Sequence, residues 1–266
     1  MKNGITTMKN IRICRLGSFN HRIDFKWIES WKSRYYRISD IVLMADIDVD
    51  HFKDEYTYPT CKIASDMGNV EEGIDLLVAI VDQPLEGDFY MRRIDSNRAV
   101  LSVFPVLDIL AKANIPVENF IIRCIYEMIV LLYEGGGRVN EAVYLIPHHE
   151  TRGCLFDMNV FIDRIIFSSN KPIICTECKT RLRSRPLPDR FIEGIEKELR
   201  KIKKPLYYRI EESIKRRPIT ALFVACVFTM LLNVAASFIY DELKTKVLQS
   251  EVPPSTPPAA YSKGPR

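Results

Sequence analysis

Val117-Glu-Asn-Phe-Ile-Ile-Arg-Cys-Ile-Tyr-Glu-Met-Ile-Val-Leu-Leu-Tyr-Glu134, followed by Gly135-Gly136-Gly137, is the stretch on which the fold turns. It is apolar on most faces, so it reads as a helix surrounded by protein rather than one lying on a surface. The glycines are a strong stop. Upstream, the apolar runs are short and suit strands: residues 11–18 (IRICRLGS), 40–47 (DIVLMADI), 76–82 (LLVAIVD), 89–93 and 98–104 (RAVLSVF). The continuous runs at 40–47 and 76–82 are of the buried-strand type. Between the first two strands, Trp27, Ile28, Trp31 and Tyr35 recur at helical spacing and predict an amphipathic helix over 22–38. Residues 48–73 read as polar and irregular, and 106–114 as a further helix that reaches the long one through Ile115-Pro116. Strands first and helices later predict an α+β fold, a mixed sheet with flanking helices.

Downstream of the glycines, Phe191, Ile192, Ile195, Leu199 and Ile202 line one side of a helix predicted over 188–203. Residues 219–240, ITALFVACVFTMLLNVAASFIY, carry no charge. A run of about 20 such residues crosses a hydrocarbon layer of roughly 30 Å. Lys197, Arg200, Lys201, Lys203, Lys204, Arg209, Lys215, Arg216 and Arg217 precede the span, while Lys244, Lys246, Lys263 and Arg266 beyond it are diluted by Asp241, Glu242 and Glu251. That asymmetry predicts a single-pass protein of the plasma (inner) membrane, bacterial in type, with its N-terminal domain in the cytoplasm. The expected organisation is a cytoplasmic domain over 1–187, a basic amphipathic juxtamembrane helix over 188–218, a transmembrane helix over 219–240 and a Pro-rich extracytoplasmic tail over 241–266. The basic segment adjoins the span, so its expected polyanion is membrane lipid with anionic headgroups, and no nucleic acid is expected. Asn233 and the small residues Ala225, Ala235, Ala236 and Ser237 could support a homo-oligomer or a protein partner through the span.

The chain has 266 residues, a formal net charge of +4 and seven cysteines. An odd number of cysteines after a polar N-terminus argues against a disulfide framework and for a reducing compartment. In that setting His148, His149, Cys154 and Cys175-Thr-Glu-Cys178 form a zinc knuckle at 148–178. Thiolate and imidazole suit Zn2+, and four protein ligands close the shell, as in structural sites. His148 and His149 are equal choices on spacing. Cys14, Cys61, Cys124 and Cys226 lie in apolar or isolated contexts and read as small buried hydrophobes.

A long apolar helix, a glycine turn and then His/Cys, Cys and C-x-x-C positions together resemble the archaemetzincin-like zinc metallopeptidases. In that family the helix carries H-E-x-x-H with a third His shortly after, and a second zinc sits on cysteines ending in C-x-x-C. The resemblance covers roughly residues 105–180. Here the helix reads Tyr126-Glu127-Met128-Ile129-Val130. Glu127 keeps the position of the general base, but Tyr126 and Val130 replace the helical zinc ligands, and Gly136 replaces the third. The resemblance therefore implies a catalytically inactive copy that retains only the structural metal. Glu127 has a plainer reading as a core carboxylate paired with Arg123 one turn earlier.

Two other readings stay open. His148-His149-Glu150 followed by Cys175-x-x-Cys178 is similar to the H-x-E…P-C-x-x-C pattern of zinc deaminases, which implies a hydrolase or deaminase with Glu150 moving protons. That reading requires Cys154 to stand away from the metal. Alternatively, a self-associating span could make the protein a membrane-disrupting effector with a regulatory cytoplasmic domain. Asp46, Asp48 and Asp50 with His51 could meet a divalent cation but read as a solvated strand end.

Overall fold

The computed structural model describes residues 8–19, 23–44, 57–139, 151–202 and 217–250, together with residues 210, 214 and 215. The chain forms two compact units, Met1–Pro205 and Leu206–Arg266.

In the first unit a mixed sheet is built from β1 (Lys9–Leu16), β2 (Tyr36–Met44), β3 (Leu76–Val81), β4 (Met91–Arg93) and β5 (Arg98–Ser102). The spatial order is β2-β1-β3-β5-β4. The pairs β1–β2, β1–β3 and β3–β5 are parallel, and only β4 runs antiparallel, against β5. Every residue of β3 is buried, as its unbroken apolar run demands for a central parallel strand.

Alternation sends the sheet's side chains to two faces. On one, Cys14, Leu16, Leu77, Ala79, Val81 and Val100 pack with Ile63 and Met67 of α2 (Thr60–Met67). On the other lie Ile11, Ile13, Val78 and Ile80, together with Lys9 and its register partner Tyr36. This second face carries α4 (Val117–Glu134). Its Tyr126 ring stands 5.3 Å from that of Tyr36, and its Tyr133 ring lies 6.0 Å under the Lys9 ammonium. Phe120, Ile121, Ile122, Ile125, Met128 and Ile129 of α4 are fully buried. Each such side chain contributes about 1.5–3 kcal/mol, so α4 is the chief apolar element of the domain. It runs over the residues that its sequence predicts, from the turn at Pro116 to Gly135, where a Cβ would fall into the carbonyl of Arg138. Shorter helices complete the unit: α1 (Phe25–Glu29), α3 (Leu107–Lys112), α5 (Ile165–Asn170), α6 (Thr176–Arg183) and α7 (Phe191–Leu199).

Three expectations need correction. The helix expected over 22–38 is one short helix, α1, and the chain is already extended at Tyr36, because pairing with β1 from Lys9 onward outweighs local periodicity. The run at 40–47 is not a buried strand. It belongs to β2 at the sheet edge, where Leu43 is 67% exposed. The irregular stretch 48–73 contains α2, whose apolar residues seal one face of the sheet.

α7 buries Phe191, Ile192, Ile195 and Leu199 as its pattern predicts. Its Gly194 lies so close to Tyr35 that a Cβ would fall inside the tyrosine hydroxyl. Tyr35 has no room to turn, held edge-on to Phe191 at 4.8 Å and to Tyr133 at 6.2 Å. Alanine is the better helix former by about 1 kcal/mol, but overpacking typically costs about 1–3 kcal/mol. Gly194→Ala is therefore expected to lower the melting temperature of the chain rather than raise it.

In the second unit, α8 (Pro218–Ser250) contains one stretch, Pro218–Tyr240, that is long and apolar enough to cross a membrane. Its large side chains, Leu222, Phe223, Phe228 and Leu231 among them, are exposed. The helix runs on past Tyr240 to Ser250, so the first part of the segment expected as a tail is helical.

Candidate metal centre

Three of the expected ligands come together. The Sγ atoms of Cys154, Cys175 and Cys178 all lie within 4.8 Å of one another. Cys154 and Cys178 are fully buried, and Cys175 is partly so. The local chain explains the convergence. Gly153, at φ +84°, turns residue 154 into a single parallel bridge with Ile173. Leu155 N donates to Ile173 O at 2.7 Å, and Ile173 N to Gly153 O at 2.9 Å. Two residues on, Cys175 caps α6, its Sγ accepting from Cys178 N at 3.4 Å. The C-x-x-C is therefore the first turn of a helix, whose free N–H groups favour negative charge on sulfur.

The spacing suits a tetrahedral ion. With Zn–S bonds of about 2.3 Å, the edge of a sulfur tetrahedron is about 3.8 Å. Cys154 Sγ and Cys178 Sγ are 3.9 Å apart. The Cys178 thiol is pushed well up, first by its hydrogen bond with Cys154 and then by burial. A divalent cation at this position supplies the positive charge that favours a thiolate ligand. The cluster can thus hold a metal ion. His148, His149 and Glu150 lie outside the described residues, as do Asp46, Asp48, Asp50 and His51. Of the other cysteines, Cys14 and Cys124 are buried as expected, with thiols raised to about 12 by burial. Cys61 and Cys226 are instead exposed, Cys61 on α2, where Ile63 and Met67 make the apolar contacts, and Cys226 on α8, whose large side chains are exposed as well.

On α4, Glu127 pairs with Arg123, Nη1 to Oε2, at 2.8 Å. Arg123 is wholly buried, and its Nη2 donates to Leu155 O at 2.5 Å and to Asp157 O at 3.4 Å. Burial raises the Glu127 carboxyl to about 7, partly offset by Arg123 and reinforced by Cys154 and Asp157. Glu127 lines a cavity of about 450 Å³ with Tyr90, Met91, Arg92, Phe156 and Met158. Tyr126 cannot serve a metal there: its hydroxyl donates to Glu198 Oε2 at 2.7 Å and accepts from Trp31 Nε1 at 2.9 Å. Val130 is fully buried. Among the described residues, the one cluster suited to a metal is the three thiols.

Sequence reasoning missed Glu198, which accepts from Ser33 Oγ at 2.7 Å, Arg34 N at 2.9 Å and Tyr126, and so fastens α7 to α4 and to the turn before β2. The available signal was its position three residues after Ile195, on the apolar side of α7. Tyr126→Phe is expected to lower stability by about 1–3 kcal/mol through the partner it strips from a buried carboxylate, measurable as a shifted denaturation midpoint.

No protein-family model matches the chain, and no curated protein matches it in sequence. Two solved structures are similar to it. One is the archaemetzincin of Methanopyrus kandleri, at 14% identity and a TM-score of 0.41, covering 66% of this chain and 94% of that one. The other is the archaemetzincin of Archaeoglobus fulgidus, at 16% identity and a TM-score of 0.43, covering 65% and 99%. Both bear the name of the family that the sequence resembles.

Proposed function

We propose that this chain is a membrane-anchored zinc-binding protein without peptidase activity, acting as an interaction or sensing module. Cys154, Cys175 and Cys178 hold a structural Zn2+, and His148 or His149 supplies the fourth ligand. The observation that carries the reading is the near-tetrahedral sulfur spacing at 154 and 178, in a protein whose helix α4 offers no imidazole beside Glu127. The ion closes the loop after Gly153 onto the first turn of α6. It supplies binding energy and no reaction, and the carboxylate of Glu127 is held by Arg123. Residues 219–240 anchor the protein in the plasma (inner) membrane as a single pass, with the N-terminal domain cytoplasmic and the basic residues from Lys197 to Arg217 on anionic headgroups. The anchor also serves a homo-oligomer or a protein partner.

The hydrolase or deaminase reading needs Cys154 remote from the metal, and its sulfur 3.9 Å from that of Cys178 disfavours it. Elemental analysis of the purified full chain is expected to find one zinc per chain, lost in Cys178→Ser. Alkaline extraction of membranes is expected to leave the chain in the pellet. Zinc-free protein, or release by alkali, would each remove the corresponding half of the reading.

A further inference from the structure

The stretch after the thiol loop exposes an unusual amount of apolar surface. Val160 is 65% exposed and Phe161 57%, and Met158, Phe167 and Ile173 are also exposed. These residues fall on one stretch of chain, residues 158–173, in which Phe167 and Ile173 meet at Gly153. A helical turn at Ile162–Arg164 runs straight into α5. The Phe167 Cβ lies 3.7 Å from the point where a Cβ on Gly153 would stand, and Ile173 is bonded to the Gly153 carbonyl. Cations are laid through it. The Arg164 guanidinium sits 4.6 Å over the Phe161 ring, and Arg152 sits 5.4 Å over Phe167. Arg152, Asp163 and Lys171 are exposed and Arg164 is half-buried, which leaves a cationic balance over residues 151–173.

We infer that this face, centred on Val160, Phe161 and Phe167, docks on the anionic lipid surface of the membrane in which the chain is anchored. The inference rests on the anchoring proposed above. Aromatic and aliphatic side chains that enter the headgroup layer, flanked by arginines that reach phosphates, are the composition of an interfacial binding surface. In the sequence about 15 residues separate Ile202 from Pro218, a length that reaches roughly 50 Å even when fully extended, so anchoring at 219–240 would keep the local concentration of the domain at the bilayer high. At that effective concentration, a surface too weak to recruit a free protein still stays docked.

The test uses the full chain in vesicles of phosphatidylcholine with or without phosphatidylglycerol, carrying brominated acyl chains as quenchers. Phe161→Trp is read against the wild-type background of Trp27 and Trp31. The control is Leu43→Trp, on β2 at the sheet edge opposite β4, whereas Met158 lines the cavity beside β4. Quenching and a blue shift at 161 on anionic vesicles, several-fold above those at 43, are the expected result. Equal quenching at both positions, or none at 161 in a chain that floats with the vesicles, overturns the docking and leaves the anchor standing. Cross-linking of position 161 to a soluble protein without quenching would assign the face to a protein partner and overturn it likewise. A chain that fails to float after an alkaline wash overturns the anchor, and the docking falls with it.

Discussion

Chelation of zinc, or Cys178→Ser, is expected to loosen the chain from the loop at 151 to the end of α6 and to lower stability on the order of 5 kcal/mol or more. Structural zinc sites contribute binding free energy directly to folding. Here the segment they would hold lies outside the five-stranded sheet. Apart from one bridge at Cys154–Ile173, it carries no sheet pairing, and α5 and α6 are each under three turns long. The effect should spread to α7, because Lys179 on α6 pairs with Glu196 at 2.8 Å. Limited proteolysis between residues 151 and 187, with and without chelator, reads the loss. Cys61→Ser, on an exposed thiol, should change nothing. Cys175→Ser separates two roles of one side chain. Serine caps a helix N-terminus well but does not hold Zn2+ as thiolate does. The variant should match or exceed the parent when both are metal-free and fall below it when both are given zinc. A parent whose melting is indifferent to chelator would remove the metal from the fold.

What the sequence disclosed follows from the range of the forces involved. α4 and β3 were legible because their determinants are local: an apolar run of the right length, a proline or polar residue before it, and a glycine stop or turn after it. The C-x-x-C with Cys154 was legible because ligand spacing is a chemical constraint, though the spacing did not reveal that Cys175 begins a helix. The residues from Trp27 to Tyr35 were misread because their helical spacing has another cause. Trp31 is drawn to Tyr126, 95 positions away, and Tyr35 to Phe191 and Tyr133. Local periodicity cannot distinguish a helix face from side chains collected by distant partners. The exposure of Val42 and Leu43 depends on strand order, since the same run in the middle of the sheet would have been buried.

Arg123→Met is expected to be the most damaging single change away from the thiols, at about 3–5 kcal/mol near pH 8. It strips the counter-charge from Glu127 and leaves the carbonyl of Leu155 without its donor. The penalty depends on pH with a definite sign. The Glu127 carboxyl is raised from its ordinary 4.5 to about 7, so the folded state holds its proton more tightly than the unfolded one. The stability linked to that proton is fully present below about 4.5 and is lost as pH rises through about 7. At 1.36 kcal/mol per unit, the window is worth about 3 kcal/mol. Without Arg123 the carboxyl rises further, so Arg123→Met should be least harmful in acid and progressively worse above neutrality. Glu127→Gln carries no titrating proton and should flatten the wild-type slope between pH 5 and 7.5, while losing stability of its own because Arg123 stays charged and buried. The double replacement Arg123→Met with Glu127→Met removes both charges and should recover much of what either single change loses. Denaturant midpoints of the four chains, taken with chelator so that no cation beside Cys154 displaces the titration of Glu127, give the comparison. A wild-type slope unchanged in Glu127→Gln would show that the titrating group in this window is not Glu127.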